Sequence, residues 1–358
     1  MVSQRSIEAV ATNGSYRHLL EVDDVRTYFR SSRGRVRAVD GVTFNLDGGM
    51  TLGIVGESGS GKTVLSRSIM GLLPRKNTET PTGHVLFKGR DLRLAPRREL
   101  QRIWGREVAV VFQDPMTSLN PVMKIGKQMT EALRHHLGLG KSDARQRVAD
   151  LLRSCDINEP DRRLEQYPHQ LSGGMRQRVT IAMALACGPD LLIADEPTTA
   201  LDVTVQAQIL DLLRTQQHER NMAMIIVTHD LGVVAGRTDE IIVMYAGQVV
   251  EKAPTPVLFK QMRMPYTEAL LQSIPRVEDT YETRLKVIPG RPPDLANPPK
   301  GCRFAPRCSY AQFKCVEEEP PLTIDGVHQF RCWFPVGTPK SVRPNRFLAQ
   351  PDAAVGSS

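Results

Sequence analysis

Short runs of apolar residues alternate with amphipathic stretches from about residue 20 to residue 250. Such runs are typical of buried strands, and a period of 3.6 residues is typical of the helices that cover them. The pattern predicts strands at Thr51–Val55, 190–194 and 222–227. A helix is predicted at 62–73, closed near Gly71 and Pro74. A later helix should pack on the sheet through Val205, Ile209, Leu212 and Leu213. We therefore expect an α/β fold.

Two regions depart from this alternation. Residues 115–187 are mainly helical in pattern with polar faces, so we expect a helical subdomain inserted between two halves of the sheet. Prolines become dense after residue 250, where they interrupt long helices and central strands, which places a boundary near residue 265. The predicted division is a flexible extension (1–18), a main domain (19–265), a small proline-rich domain (266–337) and a mobile tail (338–358).

The composition narrows the class of protein. Of 358 residues, 41% are hydrophobic and 24% are charged, which is typical of a water-soluble globular protein. No apolar run approaches the roughly 18 residues that span a bilayer, and the N-terminus lacks the apolar centre of a signal peptide. We expect a cytoplasmic chain that meets a membrane through partners. The formal charge of +8 suits nucleotides, nucleic acid or anionic headgroups, and it equally suits a solvated surface.

A glycine-rich segment between the strand at 51–55 and the following helix matches the pattern G-x-x-x-x-G-K-[ST] in full. Its residues are Gly56, Glu57, Ser58, Gly59, Ser60, Gly61, Lys62 and Thr63. Glycines let backbone N–H groups approach phosphate oxygens, and the helix N-terminus adds positive potential. Lys62 should bridge the β- and γ-phosphates, and the Thr63 hydroxyl should bind Mg²⁺. The segment predicts nucleotide binding, but alone it does not separate a transporter motor from a helicase or a GTPase.

Polar side chains end three further apolar runs. Asp195 and Glu196 follow one run, Gln113 follows another and His229 a third. Because open α/β sheets bind ligands at the carboxyl ends of their strands, these side chains should meet beside the phosphate loop. Asp195 is expected to hold Mg²⁺ through water, and Glu196 to orient and deprotonate the attacking water. Gln113 can reach Mg²⁺ and that water, and His229 can hydrogen-bond the γ-phosphate.

The sequence LSGGM at 171–175 resembles the signature motif of the ATP-binding-cassette (ABC) family. The resemblance implies that Ser172, Gly173 and Gly174 cap a nucleotide held by the opposite subunit of a dimer. The family motif usually ends in glutamine, whereas Met175 stands here. The residues expected to contact phosphate are kept, so we do not interpret the change as a loss of function.

Two further positions take their expected roles from the same resemblance. Asp202 looks like part of the loop that couples the two nucleotide sites across the dimer. Phe29 matches the aromatic residue that stacks on adenine. Tyr28 is the rival for that role, and a core position is the alternative for either ring.

The resemblance narrows to the ATPases of oligopeptide and dipeptide permeases. It extends from about residue 20 to residue 335 and includes 113–121, 167–170, 195–204, 288–290 and 292–293. It implies an ABC-type P-loop nucleotide-binding domain that hydrolyses ATP with Mg²⁺ and energises peptide import from the cytoplasmic face of the membrane. The implied partners are a homologous second ATPase subunit, two transmembrane permease subunits and an external solute-binding protein, without nucleic acid. An importer of nickel or another small solute, and a soluble ABC ATPase acting on nucleic acid, are the alternatives.

Four cysteines are clustered near the C-terminus, at Cys302, Cys308, Cys315 and Cys332. Four thiolates suit either tetrahedral zinc or an iron–sulfur cluster, and four free buried thiols are the third possibility. The spacings are wider than the paired C-x2-C of zinc ribbons. Resemblance to the peptide permease ATPases favours a [4Fe–4S] cluster. A metal at this place would have a structural role in a short proline-rich segment.

Overall fold

The computed structural model describes residues 16–74, 76–79, 81–114, 118–198, 202–274 and 288–338. Almost all of the predicted extension (1–18) and tail (338–358) lie outside these residues. The strands are β1 (Leu20–Ser31), β2 (Gly34–Leu46), β3 (Thr51–Val55), β4 (Thr82–Phe87), β5 (Arg90–Asp91), β6 (Val108–Val111), β7 (Leu191–Asp195), β8 (Ala223–Thr228), β9 (Glu240–Tyr245), β10 (Gln248–Pro254), β11 (Thr323–Asp325) and β12 (His328–Phe330).

The helices divide between the sheet and the predicted insert. They are α1 (Lys62–Ile69), α2 (Arg97–Ile103), α3 (Ile125–Leu137), α4 (Lys141–Ser154), α5 (Pro160–Leu164), α6 (Gly173–Leu185), α7 (Val203–Arg220), α8 (Leu231–Val234), α9 (Thr255–Gln261), α10 (Pro265–Gln272) and α11 (Phe313–Glu317). Short 3₁₀ turns occupy Pro168–Gln170 and Ala305–Arg307. Within the described residues, none of the helices combines the length and the apolar character needed to cross a bilayer.

The main sheet has a parallel centre. Over the described residues its order is β11-β12-β10-β9-β3-β8-β7-β6, and the neighbours from β9 to β6 are parallel. Its central strands are buried along their length, so they show continuous apolar runs rather than alternation. The α/β prediction is confirmed. The strands predicted at 190–194 and 222–227 begin and end one position later, because Asp195 and Thr228 still pair with neighbouring strands.

Helix α1 begins at Lys62 as predicted but ends at Ile69, before the predicted residue 73. Gly71 has φ +67°, in the left-handed region. The N–H groups of Gly71 and Leu72 donate to carbonyl oxygens one turn earlier, over 3.2 and 2.8 Å. This arrangement satisfies the last carbonyls of the helix and reverses the chain, so the apolar pattern runs past the helix end.

A smaller antiparallel sheet, β2-β1-β4-β5, packs against α1. The buried side chains of the two elements share one apolar core with a face of the main sheet. Members of this core include Leu20, Val22, Phe44, Leu65, Ile69, Ile54 and Ile225. This packing holds the strand that carries Phe29 beside the loop that precedes α1.

Helices α3 to α6 occupy the predicted insert at 115–187. Their apolar faces are buried together, with Met129 and Leu133 of α3 packed in the same core as Val148 and Leu152 of α4. Their other faces are largely polar and exposed, as the amphipathic pattern predicts. The helical character of this region follows the prediction, and the assignment of it as a separate subdomain stays a prediction.

The C-terminal region continues the main sheet rather than standing beside it. Strand β12 pairs antiparallel with β10, and β11 pairs with β12. Glu251 of β10 is fully buried, and its carboxylate accepts hydrogen bonds from the Met264 N–H at 3.2 Å and lies 2.7 Å from the His328 ring nitrogen. These contacts join the proline-rich region to the sheet, and the boundary near residue 265 stays a prediction.

Candidate nucleotide-binding site

The glycine-rich loop lies between β3 and α1, where its backbone makes close contact with two strands. A Cβ atom on Gly56 would lie 2.1 Å from the carbonyl oxygen of Met244 in β9, and one on Gly61 would lie 2.1 Å from that of Ala38 in β2. Gly61 also has φ +102°, a conformation that side chains disfavour. Only glycine fits at these two positions, and the packing fixes the loop at the carboxyl edge of the sheet.

Lys62 and Thr63 at the start of α1 lie next to Asp195 at the end of β7. The Lys62 ammonium group is buried and donates to two carbonyl oxygens of the loop over 2.7 and 3.0 Å. Burial lowers the pKa of Lys62, and the carboxylates of Glu196 and Asp195 oppose that change. The Thr63 hydroxyl donates to Asp195 over 3.2 Å, while burial raises the pKa of Asp195. The structure thus brings these predicted residues together.

Glu196 lies directly after β7 in an uncommon backbone conformation. Its φ is +48°, and its N–H donates to the Val227 carbonyl over 2.8 Å. A left-handed residue with a Cβ costs roughly 1–2 kcal/mol, and such strain clusters at functional sites. The Glu196 carboxylate accepts a hydrogen bond from the Gln113 amide at 3.0 Å and lies 3.5 Å from Nδ1 of His229. Gln113 and His229 therefore both lie at the carboxylate of Glu196, the third residue predicted as catalytic.

These groups line a cavity of about 1060 Å³, which is large enough for a nucleotide. Its polar lining comes from the glycine-rich loop together with Gln113, Glu196 and His229. Its apolar lining includes Phe29, Val36 and Ala38. A cavity with cationic and amide groups on one part of its wall and apolar side chains on another suits a phosphorylated molecule with a flat base.

The structure separates the two aromatic residues that compete for the base. Phe29 is half-buried and lines the cavity. Successive residues of a strand point to opposite faces, and the Tyr28 hydroxyl donates to Asp40 while the Arg35 guanidinium lies 4.3 Å from the Tyr28 ring centre. Tyr28 is thus engaged in contacts away from the cavity, whereas Phe29 lines it, and the stacking of Phe29 on a base stays a prediction.

Part of the cavity wall comes from residues to which the sequence assigned no role. They lie in and after α10 and are Leu270, Ser273, Ile288, Pro292 and Leu295. The Leu295 carbonyl accepts a hydrogen bond from the Arg37 N–H of β2 over 3.0 Å, which fixes this segment beside the apolar lining. The sequence feature that could have pointed to this wall is the likeness to the permease ATPases at 288–290 and 292–293.

The signature residues lie elsewhere in the chain. Ser172, Gly173, Gly174 and Asp202 are absent from the described residues that line the cavity. The Ser172 hydroxyl caps α6 by accepting an N–H three residues on at 3.3 Å, and the Asp202 carboxylate caps α7 in the same way at 2.9 Å. Ser172, Gly173 and Asp202 are exposed. Their role opposite a second subunit stays a prediction.

The four clustered cysteines line one small cavity of about 10 Å³, with Phe304, Trp333 and Phe334 around them. However, the described residues contain no group of three or more His, Cys, Asp or Glu side chains that could hold a metal ion. The iron–sulfur prediction and its zinc alternative are therefore not confirmed. The four cysteines belong to a packed C-terminal region, and a metal cluster at this place stays a prediction.

The surroundings of the four thiols act on their protonation in two opposite ways. Burial raises the pKa of all four, to about 11 for Cys302 and about 12 for Cys308. Backbone N–H groups that donate to each sulfur act in the opposite direction. Binding of a metal would therefore have to displace the thiol protons.

Two family models match the chain. The model described as ABC transporter matches residues 39–199, and the model described as the C-terminal region of oligopeptide/dipeptide transporters matches residues 250–315. The chain is 51% identical to the oligopeptide transport ATP-binding protein OppD of Bacillus subtilis (strain 168), over 88% of each chain. It is 48% identical to the dipeptide transport ATP-binding protein DppD of the same organism, over 88% of this chain and 94% of that one.

Solved structures show the same architecture. A dimeric structure of MJ0796, a bacterial ABC transporter cassette, is 28% identical and superimposes with a TM-score of 0.59 over 66% of this chain and 98% of that chain. A second structure of MJ0796 is a dimer in a post-hydrolysis state bound to ADP and inorganic phosphate, with the same TM-score and identity. The likeness covers the nucleotide-binding part of the fold.

Proposed function

The chain belongs to the ATP-binding subunits of oligopeptide and dipeptide ABC transporters, and we propose on this basis that it hydrolyses ATP to drive peptide import. The observation that carries the proposal is the convergence of Glu196, Gln113 and His229 in the cavity that also contains the phosphate loop. The named relatives favour peptides over nickel or another small solute, and they favour transport over action on nucleic acid.

ATP would lie with its phosphates on the glycine-rich loop and its base near Phe29. The loop and the N-terminus of α1 supply backbone N–H groups, and the buried Lys62 ammonium would exchange its carbonyl contacts for phosphate oxygens. A charge-assisted hydrogen bond to phosphate is stronger than one to a neutral carbonyl. That difference favours the exchange.

Mg²⁺ fits the oxygen groups at the start of α1 and the end of β7. The Thr63 hydroxyl and the Asp195 carboxylate lie 3.2 Å apart, and such hard oxygen ligands are those that Mg²⁺ prefers. Burial raises the pKa of Asp195, so a nearby cation would stabilise its charged form. Gln113 would add a further oxygen. When bound, the ion neutralises charge on the transferring phosphoryl group.

Hydrolysis would then proceed at Glu196. Its carboxylate accepts a proton from a water molecule as the water oxygen bonds to the γ-phosphorus and the bond to the bridging oxygen of ADP breaks. Gln113 orients that water, and His229 donates a hydrogen bond to the γ-phosphate. The products are ADP and inorganic phosphate. Most of the acceleration comes from positioning and charge stabilisation by fixed groups.

A second ATPase subunit would complete the site. The exposed signature segment at the N-terminus of α6 presents N–H groups and the Ser172 hydroxyl to solvent, as a cap for phosphates held by another chain requires. MJ0796, a solved relative of similar fold, is a dimer in both of its structures. We propose that ATP binding closes such a dimer and that hydrolysis reopens it.

The remaining partners follow from the transporter family. Two transmembrane permease subunits would receive the motion of the helical insert, and an external solute-binding protein would deliver the peptide. The chain would lie at the cytoplasmic face of the cell membrane, attached through those subunits. Co-purification with two hydrophobic subunits tests this arrangement.

Replacement of Glu196 by Gln tests the hydrolytic assignment. Glu196→Gln keeps the shape of the side chain but removes the base, so we expect turnover to fall by about 100-fold or more while ATP binding is retained. Asp211→Asn is the control, because that exposed carboxylate pairs with Arg237 outside the cavity. Normal turnover in Glu196→Gln, measured as phosphate release, contradicts the proposal.

The four-cysteine metal site stays a prediction, and elemental analysis tests it. We propose that iron or zinc bound by Cys302, Cys308, Cys315 and Cys332 would hold the C-terminal segment, since the four thiols line one cavity with N–H donors around them. The full chain, purified without oxygen, should then contain iron with visible cluster absorption, or zinc without it. Absence of both metals means that the cluster consists of free thiols.

A further inference from the structure

Arg307 of the C-terminal region lies against the phosphate loop, about 250 positions away in sequence. Its guanidinium forms a two-pronged ion pair with the Glu57 carboxylate, over 2.6 and 2.8 Å. The Arg307 side chain is only 4% exposed, and the hydrogen bond to Glu57 raises its pKa. A two-pronged pair with a buried guanidinium and a partly exposed carboxylate fixes the direction of both side chains.

The other donors of Arg307 reach the segment that forms the cavity wall. Its Nε donates to the Pro289 carbonyl over 2.8 Å, and one terminal nitrogen lies 3.4 Å from the Ile288 carbonyl. Ile288 and Glu57 both line the nucleotide cavity. One guanidinium therefore joins the phosphate loop to the C-terminal wall of the same cavity.

Glu57 is held from its backbone as well. Its N–H donates to the Tyr266 hydroxyl of α10 over 2.8 Å. Tyr266 is fully buried, and its ring packs at a tilt against Tyr245 and Phe304 at centroid distances of 4.6 and 5.2 Å. The aromatic cluster sits beneath the guanidinium, whose carbon lies 5.8 Å from the Tyr245 ring centre. These contacts leave little freedom for the loop to move apart from the C-terminal region.

We propose that Arg307 is a positioning residue for ATP binding. It holds Glu57 of the phosphate loop and the wall segment at Ile288 and Pro289 in fixed positions around the nucleotide. The C-terminal region is thus part of the ATP site of its own chain. The proposal rests on the function proposed above, because it requires ATP to occupy this cavity.

A purely structural anchor is the competing explanation, and nucleotide affinity separates the two. Arg307→Met should raise the KM and the dissociation constant for ATP by about tenfold, since a two-pronged charged contact at the loop is lost. Arg307→Lys keeps the charge with a single donor head and should show a smaller rise, of about threefold. Both are measured on the full chain, together with kcat and thermal unfolding.

Arg331→Met is the matched control. Arg331 is a half-buried arginine of the same C-terminal region, but its described side-chain contact is with the Val249 carbonyl, away from the cavity lining. Its replacement should lower the unfolding temperature without moving the KM by more than about twofold, because it leaves the phosphate loop in place.

Combination with Glu57→Gln completes the test. If the two side chains act as a pair, the double variant Glu57→Gln with Arg307→Met should bind ATP as tightly as the single variant that has the lower affinity. The proposal is overturned if the losses of ATP affinity in the two single variants multiply in the double variant. It is also overturned if the Arg307 variants bind ATP like the wild type. If Arg307→Met does not fold, Arg307→Lys and Glu57→Gln decide the result. A wild-type chain that binds no ATP refutes the proposed function instead.

Discussion

The phosphate loop and the signature segment each precede a helix N-terminus, where backbone N–H groups favour phosphate. The loop is enclosed by its own chain, with Lys62 buried and Glu57 held from the C-terminal region. The signature segment is open, since Ser172 and Gly173 are exposed and the Ser172 hydroxyl caps its own helix. A helix N-terminus thus lies inside a cavity in the first case and on the exposed surface in the second.

This difference separates what one chain can do alone from what an assembly does. We call the phosphate loop (56–63) with the cavity around it the enclosed half-site. Changes in the enclosed half-site should alter ATP binding by the isolated chain. We call the signature segment (171–175) the exposed half-site. Changes in the exposed half-site should leave ATP binding by the isolated chain intact and reduce hydrolysis in the assembled ATPase pair. Variants of each half-site therefore test the comparison directly.

The largest effect is expected for Lys62→Met. Methionine has a similar volume, so the variant should keep its fold, although the Asp195 and Glu196 carboxylates lose a nearby cation. ATP affinity should fall by about 100-fold or more, because the charged contact to the phosphates is lost. A fluorescent ATP analogue measures the affinity of the isolated chain.

Lys252→Met provides the control for that measurement. Lys252 is also mostly buried and pairs with Glu240 over 3.1 Å, but it does not line the cavity. Its replacement should leave ATP affinity unchanged. Retained affinity in Lys62→Met would show that the enclosed half-site is not where ATP binds.

The second effect concerns the exposed half-site. Aspartate and asparagine both cap helices as well as serine, so Ser172→Asp and Ser172→Asn should preserve α6. A carboxylate facing the partner's phosphates is repelled, so Ser172→Asp should lower hydrolysis in the assembled pair by about tenfold or more. Ser172→Asn should retain more activity. Both variants should bind ATP normally as isolated chains.

Equal hydrolysis in the two Ser172 variants would place the signature segment away from phosphate. Reduced ATP binding by the isolated Ser172→Asp chain would also contradict the comparison. It would mean that the exposed segment serves the nucleotide of its own chain.

The sequence predicts those parts of the site that consist of local patterns. The phosphate loop and the strand that ends in Asp195 and Glu196 are local patterns, so the sequence predicts their meeting at one sheet edge. The early end of α1 depends on the left-handed Gly71, which periodicity does not register.

The C-terminal wall was missed for a different reason. It depends on single contacts between distant residues, such as the Leu295 carbonyl with the Arg37 N–H and Arg307 with Glu57. No periodicity or spacing encodes such contacts. The four cysteines that the sequence predicts as metal ligands do line one cavity, and the metal itself stays a prediction.

The smallest effect tests how far the enclosed half-site extends towards the base. Phe29 lines the cavity, whereas Tyr28 bonds to Asp40, so the two neighbours should respond differently. Phe29→Ala should raise the KM for ATP by about fivefold, within the range measured for base stacking, and Phe29→Trp should restore it. Tyr28→Phe should cost about 1 kcal/mol of stability through its lost hydrogen bond and leave the KM unchanged. If Tyr28→Phe moves the KM and Phe29→Ala does not, the base lies against the other ring and the apolar wall is not part of the ATP site.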